Sequence, residues 1–244
     1  MNRVALLLMA ALTACCVSAQ TRPHPEKVRV LLITGGHAFE REPFLEALRT
    51  NAALAVMSAE HAPGGAAAWE RDDLAAFQAV VLYDMPAAIT DAQKAKFLSL
   101  FKQGTGLVVL HHALASFPGW EEYERIIGGR YPQPPKGQPP VSDRLGYKHD
   151  VTFTVHVADG AHPITAGLAD FAIRDEIYWG FRVGADVHPL LTTPHEKSGN
   201  PLMWTRTEGR SRVVYLQLGH DRYAYENPGF RELLGRSILW AARR

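Results

Sequence analysis

Residues 28–49 read VRVLLITGGHAFEREPFLEALR, and this stretch decides the fold class. Val28 to Ile33 is apolar except for Arg29 and ends on Thr34-Gly35-Gly36. A strand with one wet face would alternate, so the run reads as a strand buried on both faces. Beyond the glycines, Glu40 to Arg49 spaces Phe44, Leu45 and Leu48 as a helix does, with acidic residues in its first turn. Strand, Gly-rich turn and helix make a βα unit, the connection that parallel strands require.

The pattern recurs along the chain. Ala55 to Ser58 is a short strand, and Ala79 to Tyr83 is a second buried run closed by Asp84 and Pro86. Thr90 caps a helix that runs through Phe101 and stops at Gly104. Gly106 to Leu110 (GLVVL) is the next buried strand, followed by His111-His112-Ala113 and a helical stretch around Trp120 to Ile127. Further strands are expected over Thr152–Val157, Pro189–Thr192, Leu202–Thr205 and Arg212–Gln217, with Gly209 turning the last hairpin. A Pro228-led amphipathic helix closes the chain over Asn227–Ala242. Alternating strands and helices imply right-handed crossovers and an α/β fold, a doubly wound, mainly parallel sheet with helices on both faces. Gly128 to Tyr147, with Pro132, Pro134, Pro135, Pro139 and Pro140, reads as a long surface loop that could wall or cover a site.

A chain of 244 residues fits one domain. Its 26 Lys and Arg against 25 Asp and Glu create no field that favours nucleic acid, so a small molecule is the expected partner. At the start, Arg3, the apolar run Val4 to Leu12, and small residues Val17 and Ala19 read as a secretory signal peptide over 1–19. The run is far shorter than the roughly 20 residues of a transmembrane helix. A spacer over 20–27 and a domain over 28–244 follow. Export to the periplasm or the medium is expected. Cys15 and Cys16 are the only cysteines, so cleavage after Ala19 leaves none and no disulfide. Leu12-Thr13-Ala14-Cys15 also resembles a lipobox, and a leader over 1–14 would instead give a lipid-anchored envelope protein.

No G-x-S-x-G elbow, P-loop, G-x-G-x-x-G fingerprint or HExxH helix occurs. In open α/β sheets ligands bind beyond the carboxyl ends of the strands. That rule selects His37, Asp84, His111, His112 and the pair His220-Asp221. Each alone is as readily a capping or core residue. Together they suit a divalent metal or a division of acid and base roles. His24 and His61 read as spacer or surface residues, and His149 and His156 as strand-edge residues. Asp175-Glu176-Ile177-Tyr178-Trp179 sets two carboxylates beside aromatic rings, which suits a sugar. Read as a strand, the same segment turns Ile177 and Trp179 to the core.

Four segments carry a family resemblance: ITGGHAF (33–39), GLVVLHHA (106–113), AHPITAGLADFAIRDEIY (161–178) and RVVYLQLGHDRYAYENPGFRELLGRSILWAA (212–242). Together they resemble the ThuA-like, trehalose-utilisation family, over most of the mature chain. That family is similar in fold to class I glutamine amidotransferases, a flavodoxin-like doubly wound sheet. The resemblance implies a nucleophile elbow after GLVVL, where an amidotransferase would hold cysteine. His111 stands there and cannot form the thioester, so amidotransfer is excluded.

Carried over residue by residue, the resemblance implies His37, His111, Glu176 and His220 as the catalytic set. His112, Asp175, Tyr178 and Asp221 are implied as substrate-binding or supporting partners. The chain departs from the family after Gly128-Gly129-Arg130-Tyr131, where a further histidine is expected and Pro132-Gln133-Pro134 follows. The implied partner is a carbohydrate, a disaccharide or keto-glycoside. No cofactor is assigned; a divalent metal held by His37, His111 and His220 is the candidate. Two readings remain, an exported sugar hydrolase, lyase or isomerase, or a non-catalytic sugar-binding or accessory protein.

Overall fold

The computed structural model describes residues 26–133 and 144–244. The expected signal peptide over 1–19, Cys15 and residues 134–143 of the Pro-rich stretch lie outside them. In chain order the elements are β1 (Val28–Gly35), α1 (Arg41–Arg49), β2 (Leu54–Glu60), β3 (Ala79–Asp84), α2 (Asp91–Gln103), β4 (Gly106–Leu110) and α3 (Glu121–Ile127). There follow β5 (Gly129–Arg130), β6 (Gly146–Val157), β7 (Phe171–Trp179), β8 (Arg182–Val183), β9 (His188–Thr192), β10 (Met203–Glu208), β11 (Ser211–Leu216), α4 (Arg222–Tyr225) and α5 (Pro228–Ala241).

Nine strands form one sheet in the order β2-β1-β3-β4-β11-β10-β9-β6-β7. The first five run parallel. With β11 as fifth strand their order is the 2-1-3-4-5 of a flavodoxin-like winding, as the sequence leads one to expect. Beyond β11 the sheet continues antiparallel through β10, β9, β6 and β7. The Gly209 hairpin dictates that switch, because a tight turn can join only antiparallel strands.

Side-chain alternation sorts the core into two layers. Val30, Leu32, Val81, Val108, Leu110 and Val214 pack with Phe44 and Leu48 of α1 and with Leu234 and Ile238 of α5. Leu31, Ile33, Val80, Leu82, Val109 and Tyr215 pack with Phe97 and Leu100 of α2 and Ile126 of α3. A Cβ on Gly106 would lie 2.5 Å from backbone atoms of Ala241, so α5 can settle on β4 only because that residue is glycine. Thr90 caps α2 in a full capping box and Asn227 caps α5 ahead of Pro228.

Two expectations need correction. Gly128 to Tyr147 is not one loop: Gly129 and Arg130 pair with Val183 and Arg182, and β6 begins at Gly146. His61 is no surface residue. β2 runs on to Glu60, which carries His61 into the sheet end, where it is 4% exposed and bonded to Asp84 at 2.7 Å. No helix among the described residues is long and apolar enough to cross a membrane.

Candidate functional site

β4 ends at Leu110, and His111 begins a 3-10 turn with a φ of 51°, the left-handed region that a residue with a Cβ enters at a cost. Its side chain is buried. Nδ1 lies 2.6 Å from the carbonyl oxygen of Gln217, which can only accept, so Nδ1 carries the hydrogen. In the neutral ring, Nε2 is then a lone pair. The Tyr178 hydroxyl donates to it at 2.9 Å. Two further groups close on the same atom, Glu176 Oε2 at 3.0 Å and His220 Nδ1 at 3.2 Å.

Glu176 and Tyr178 come from β7, where alternation sends them to the site and turns Asp175 and Ile177 the other way. His220 follows β11. Its loop is held from beneath by the buried Asp175 carboxylate, which accepts the backbone N–H groups of Gly219 at 2.8 Å and His220 at 2.9 Å. Glu176 N–H binds the same carboxylate at 2.8 Å. Tyr83 donates to Gly219 O at 2.7 Å, and Tyr225 donates to His220 O at 2.9 Å. His149 completes the group from β6. Its Nδ1 is 2.9 Å from His220 Nε2 and 3.2 Å from Glu176 Oε1. The β6–β7 register shifts between Lys148 and Val151, with Asp150 at a φ of 58°, and such an irregularity re-aims a side chain at the rim of a sheet.

Glu176 Oε2 and His220 Nδ1 are 3.3 Å apart, so His111, Glu176 and His220 form a triangle of donors with edges of 3.0, 3.2 and 3.3 Å. These three are the only such set of possible metal ligands among the described residues. Burial raises the affinity of the Glu176 carboxyl for a proton, but the imidazoles of His111 and His220 set against it outweigh this and hold the group well below its ordinary range. Burial disfavours charge on His220, yet Glu176 outweighs this and raises its pKa.

Beside the triangle lies a cavity of about 230 Å³, lined by His37, Met85, His112, Leu114, Tyr131, Tyr147, His149, Glu176 and Tyr178 among others. His37 is exposed and stacks on buried His112, with ring centroids 4.5 Å apart. His37 Nδ1 donates to Ala38 O at 2.7 Å. Burial lowers the pKa of both imidazoles, that of His112 well below its ordinary value. Neither ring nitrogen of His112 has a partner at full hydrogen-bond geometry; the backbone of Tyr83 makes only a weak approach to the ring.

The structure thus gathers His111, Glu176, His220 and Tyr178, and sets His37 and His112 on the wall of the same cavity. Three residues stand apart from that set. His37 is not part of the ligand triangle; Glu176 takes that place. Asp175 meets backbone N–H groups instead of substrate. Asp221 is the N-cap of α4, accepting from Tyr223 N–H at 2.9 Å. His149, read as a strand-edge residue, belongs to the site, a placement its sequence spacing gives no sign of.

A family model described as ThuA, trehalose utilisation, matches residues 29–241. A ThuA-like protein from Parabacteroides merdae superposes with a TM-score of 0.75 at 23% identity, covering 89% of this chain and 90% of that one. A ThuA-like protein from Bacteroides uniformis gives 0.65 at 18% identity, covering 92% and 95%. A glutamine amidotransferase from Thermotoga maritima gives 0.50 at 14% identity, covering 90% of this chain and 100% of its own. These likenesses show a shared fold. No curated protein matches the chain.

Proposed function

We propose, from the premise that the chain belongs to the ThuA (trehalose utilisation) family, that it is an exported enzyme acting on a disaccharide or keto-glycoside at the His111–Glu176–His220 site. A divalent ion is the cofactor that this donor set fits. The carrying observation is the convergence of a carboxylate oxygen and an imidazole lone pair, His111 Nε2, on one point with a second imidazole nitrogen, 3.0 to 3.3 Å apart. Donors bound at about 2.0–2.2 Å to one ion stand roughly 3.0–3.5 Å from each other in octahedral or tetrahedral arrangements. The measured edges fall in that range. Such an ion, when bound, polarises a substrate oxygen.

The chain's own residues orient the site. The Gln217 carbonyl fixes the His111 tautomer, and His149 meets the far nitrogen of His220, the outer contacts that ligand histidines need. Tyr131, Tyr147 and Tyr178 offer rings for the C–H faces of a sugar. At roughly 30 Å³ per water the cavity has space for seven or eight waters, about one pyranose ring. Export rests on the leader at 1–19, and mass spectrometry of the mature N-terminus separates a start at Gln20 from a lipidated Cys15.

The test is turnover of 3-keto-glycosides by the mature protein with and without added divalent ions, alongside His111→Ala and Glu176→Ala. Turnover lost in both variants is expected. Unchanged turnover in both would sink the proposal, and sugar-induced stabilisation without turnover in the wild type would favour a sugar-binding accessory protein.

A further inference from the structure

We infer that the site works by taking a proton from carbon, with His37 as the base, and not by hydrolytic displacement at the anomeric centre; the inference rests on the carbohydrate reading above. Hydrolysis of glycosides ordinarily needs two carboxyl groups flanking the bond, one as acid and one as base or nucleophile. Among the described residues lining the cavity, Glu176 is the only carboxylate. It is already engaged by His111, His149 and His220. Asp175, its neighbour in sequence, is turned away and occupied by three backbone N–H groups. Among the described residues, then, the wall offers no second carboxyl of the kind displacement requires.

A base is present instead. His37 lies outside the ligand triangle but on the same cavity. Its Nδ1–H is tied to Ala38 O, which leaves Nε2 as a free lone pair. Stacking on His112 fixes the ring plane. The backbone is fixed too: Gly36 has a φ of 77°, a Cβ there would lie 2.3 Å from Met85 O, and Met85 N–H binds Gly35 O at 2.8 Å. An imidazole lone pair held on the cavity wall is the kind of group that serves as a general base near neutral pH.

The fitting substrate is an uncharged sugar ring bearing a carbonyl, since only a carbonyl makes an adjacent C–H acidic enough for imidazole. His37 Nε2 takes the proton from the carbon beside the carbonyl. The C–H electron pair becomes the C=C bond of an enolate, and the carbonyl π pair moves onto oxygen. When that pair returns, the carbonyl re-forms, the enolate C=C pair shifts to make a double bond to the next carbon, and the glycosidic oxygen on that carbon leaves with its bonding electrons and takes the proton from the His37 imidazolium, so the sugar ring departs as an enone. Neither water nor an oxidant is consumed.

Methyl 3-keto-glucopyranoside in D2O, followed by NMR, tests this. The wild type should exchange or lose the hydrogen on C2 as methanol is released, and His37→Gln should slow both by about 10²-fold or more, the usual worth of a positioned base. Divalent-ion binding and melting temperature should be unchanged in His37→Gln, because the residue is exposed and outside the triangle. Methanol release with the C2 hydrogen retained overturns the inference, as does wild-type exchange in His37→Gln. A wild type inert towards every keto-glycoside, with ion loaded, removes the carbohydrate reading and this inference with it.

Discussion

Glu176→Gln is the substitution that weighs the donor triangle. In the ion-free protein, Glu176 Oε2 stands 3.0 Å from His111 Nε2 and 3.3 Å from His220 Nδ1, so a proton must be shared there or an ion must replace it. An ion that binds only the folded chain stabilises it by about 2.7 kcal/mol at 100 times its dissociation constant. For a domain of this size each kcal/mol moves the melting temperature by roughly 2–4 °C, so saturating zinc or manganese should raise it by about 5–11 °C over chelator-treated protein. Glu176→Gln keeps the side-chain shape and loses the charge, and its amide can donate to His111 Nε2. The ion-free variant should therefore melt within a few degrees of the wild type, while its ion-induced shift collapses. The shift should also shrink in acid: Glu176 raises the His220 pKa, so the folded protein holds that proton above the ordinary histidine value and an incoming ion must displace it. Calorimetric melts with and without each metal, read against metal content, decide the matter. An equal shift in Glu176→Gln and wild type, or no wild-type shift with any divalent ion, refutes the reasoning.

His112 supplies a pH prediction. Burial holds its pKa well below 6.5, so on acidification the unfolded chain binds a proton that the folded one refuses, and stability drains away as pH falls below about 6.5, by up to about 1.4 kcal/mol per pH unit. His112→Phe keeps the ring stack and removes that proton, so urea melts from pH 7 to 5 should show a shallower decline by about one proton; parallel curves would contradict it. Asp175→Asn should cost about 2–4 kcal/mol, because an amide group would face backbone N–H donors that the carboxylate accepts. NMR of the His220 imidazole should show it displaced, and an unperturbed resonance would argue against the clamp.

Much of this was open to reading in the chain. The runs at 28–35, 79–84 and 106–110 declared a parallel sheet because strands buried on both faces carry no alternation, and the strand-end rule found His37, His111 and His220. Alternation along DEIYW separates Glu176 and Tyr178 from Asp175 once Ile177 is placed in the core. Asp221 carried its own signal, an Asp directly before a short helix, which is how N-caps read. His61 was hidden because β2 runs two residues past Ser58, and those residues bring it level with Asp84. His149 had no local signal. It reaches Glu176 only through an irregular register between two strands far apart in sequence, and spacing rules do not encode such register.

The turn after β4 shows how one fold can hold different chemistry. His111 occupies a left-handed conformation that glycine would enter freely. A scaffold selected for stability alone would not keep a bulky ring there, nor the poorly partnered nitrogens of His112, nor a carboxylate facing an imidazole lone pair. Each departure lowers stability, and His112 and Glu176 line the cavity beside which His111 stands. In an amidotransferase that same turn would present a thiol to attack a carbonyl; here the ring is pinned by Gln217 O and Tyr178, with its lone pair aimed at Glu176 and not at open space. A nucleophile must be free to form a bond, whereas a ligand must be held still. The geometry of His111 is that of a group held still, and this moves the search for the moving proton to His37, which stacks on the neighbouring His112.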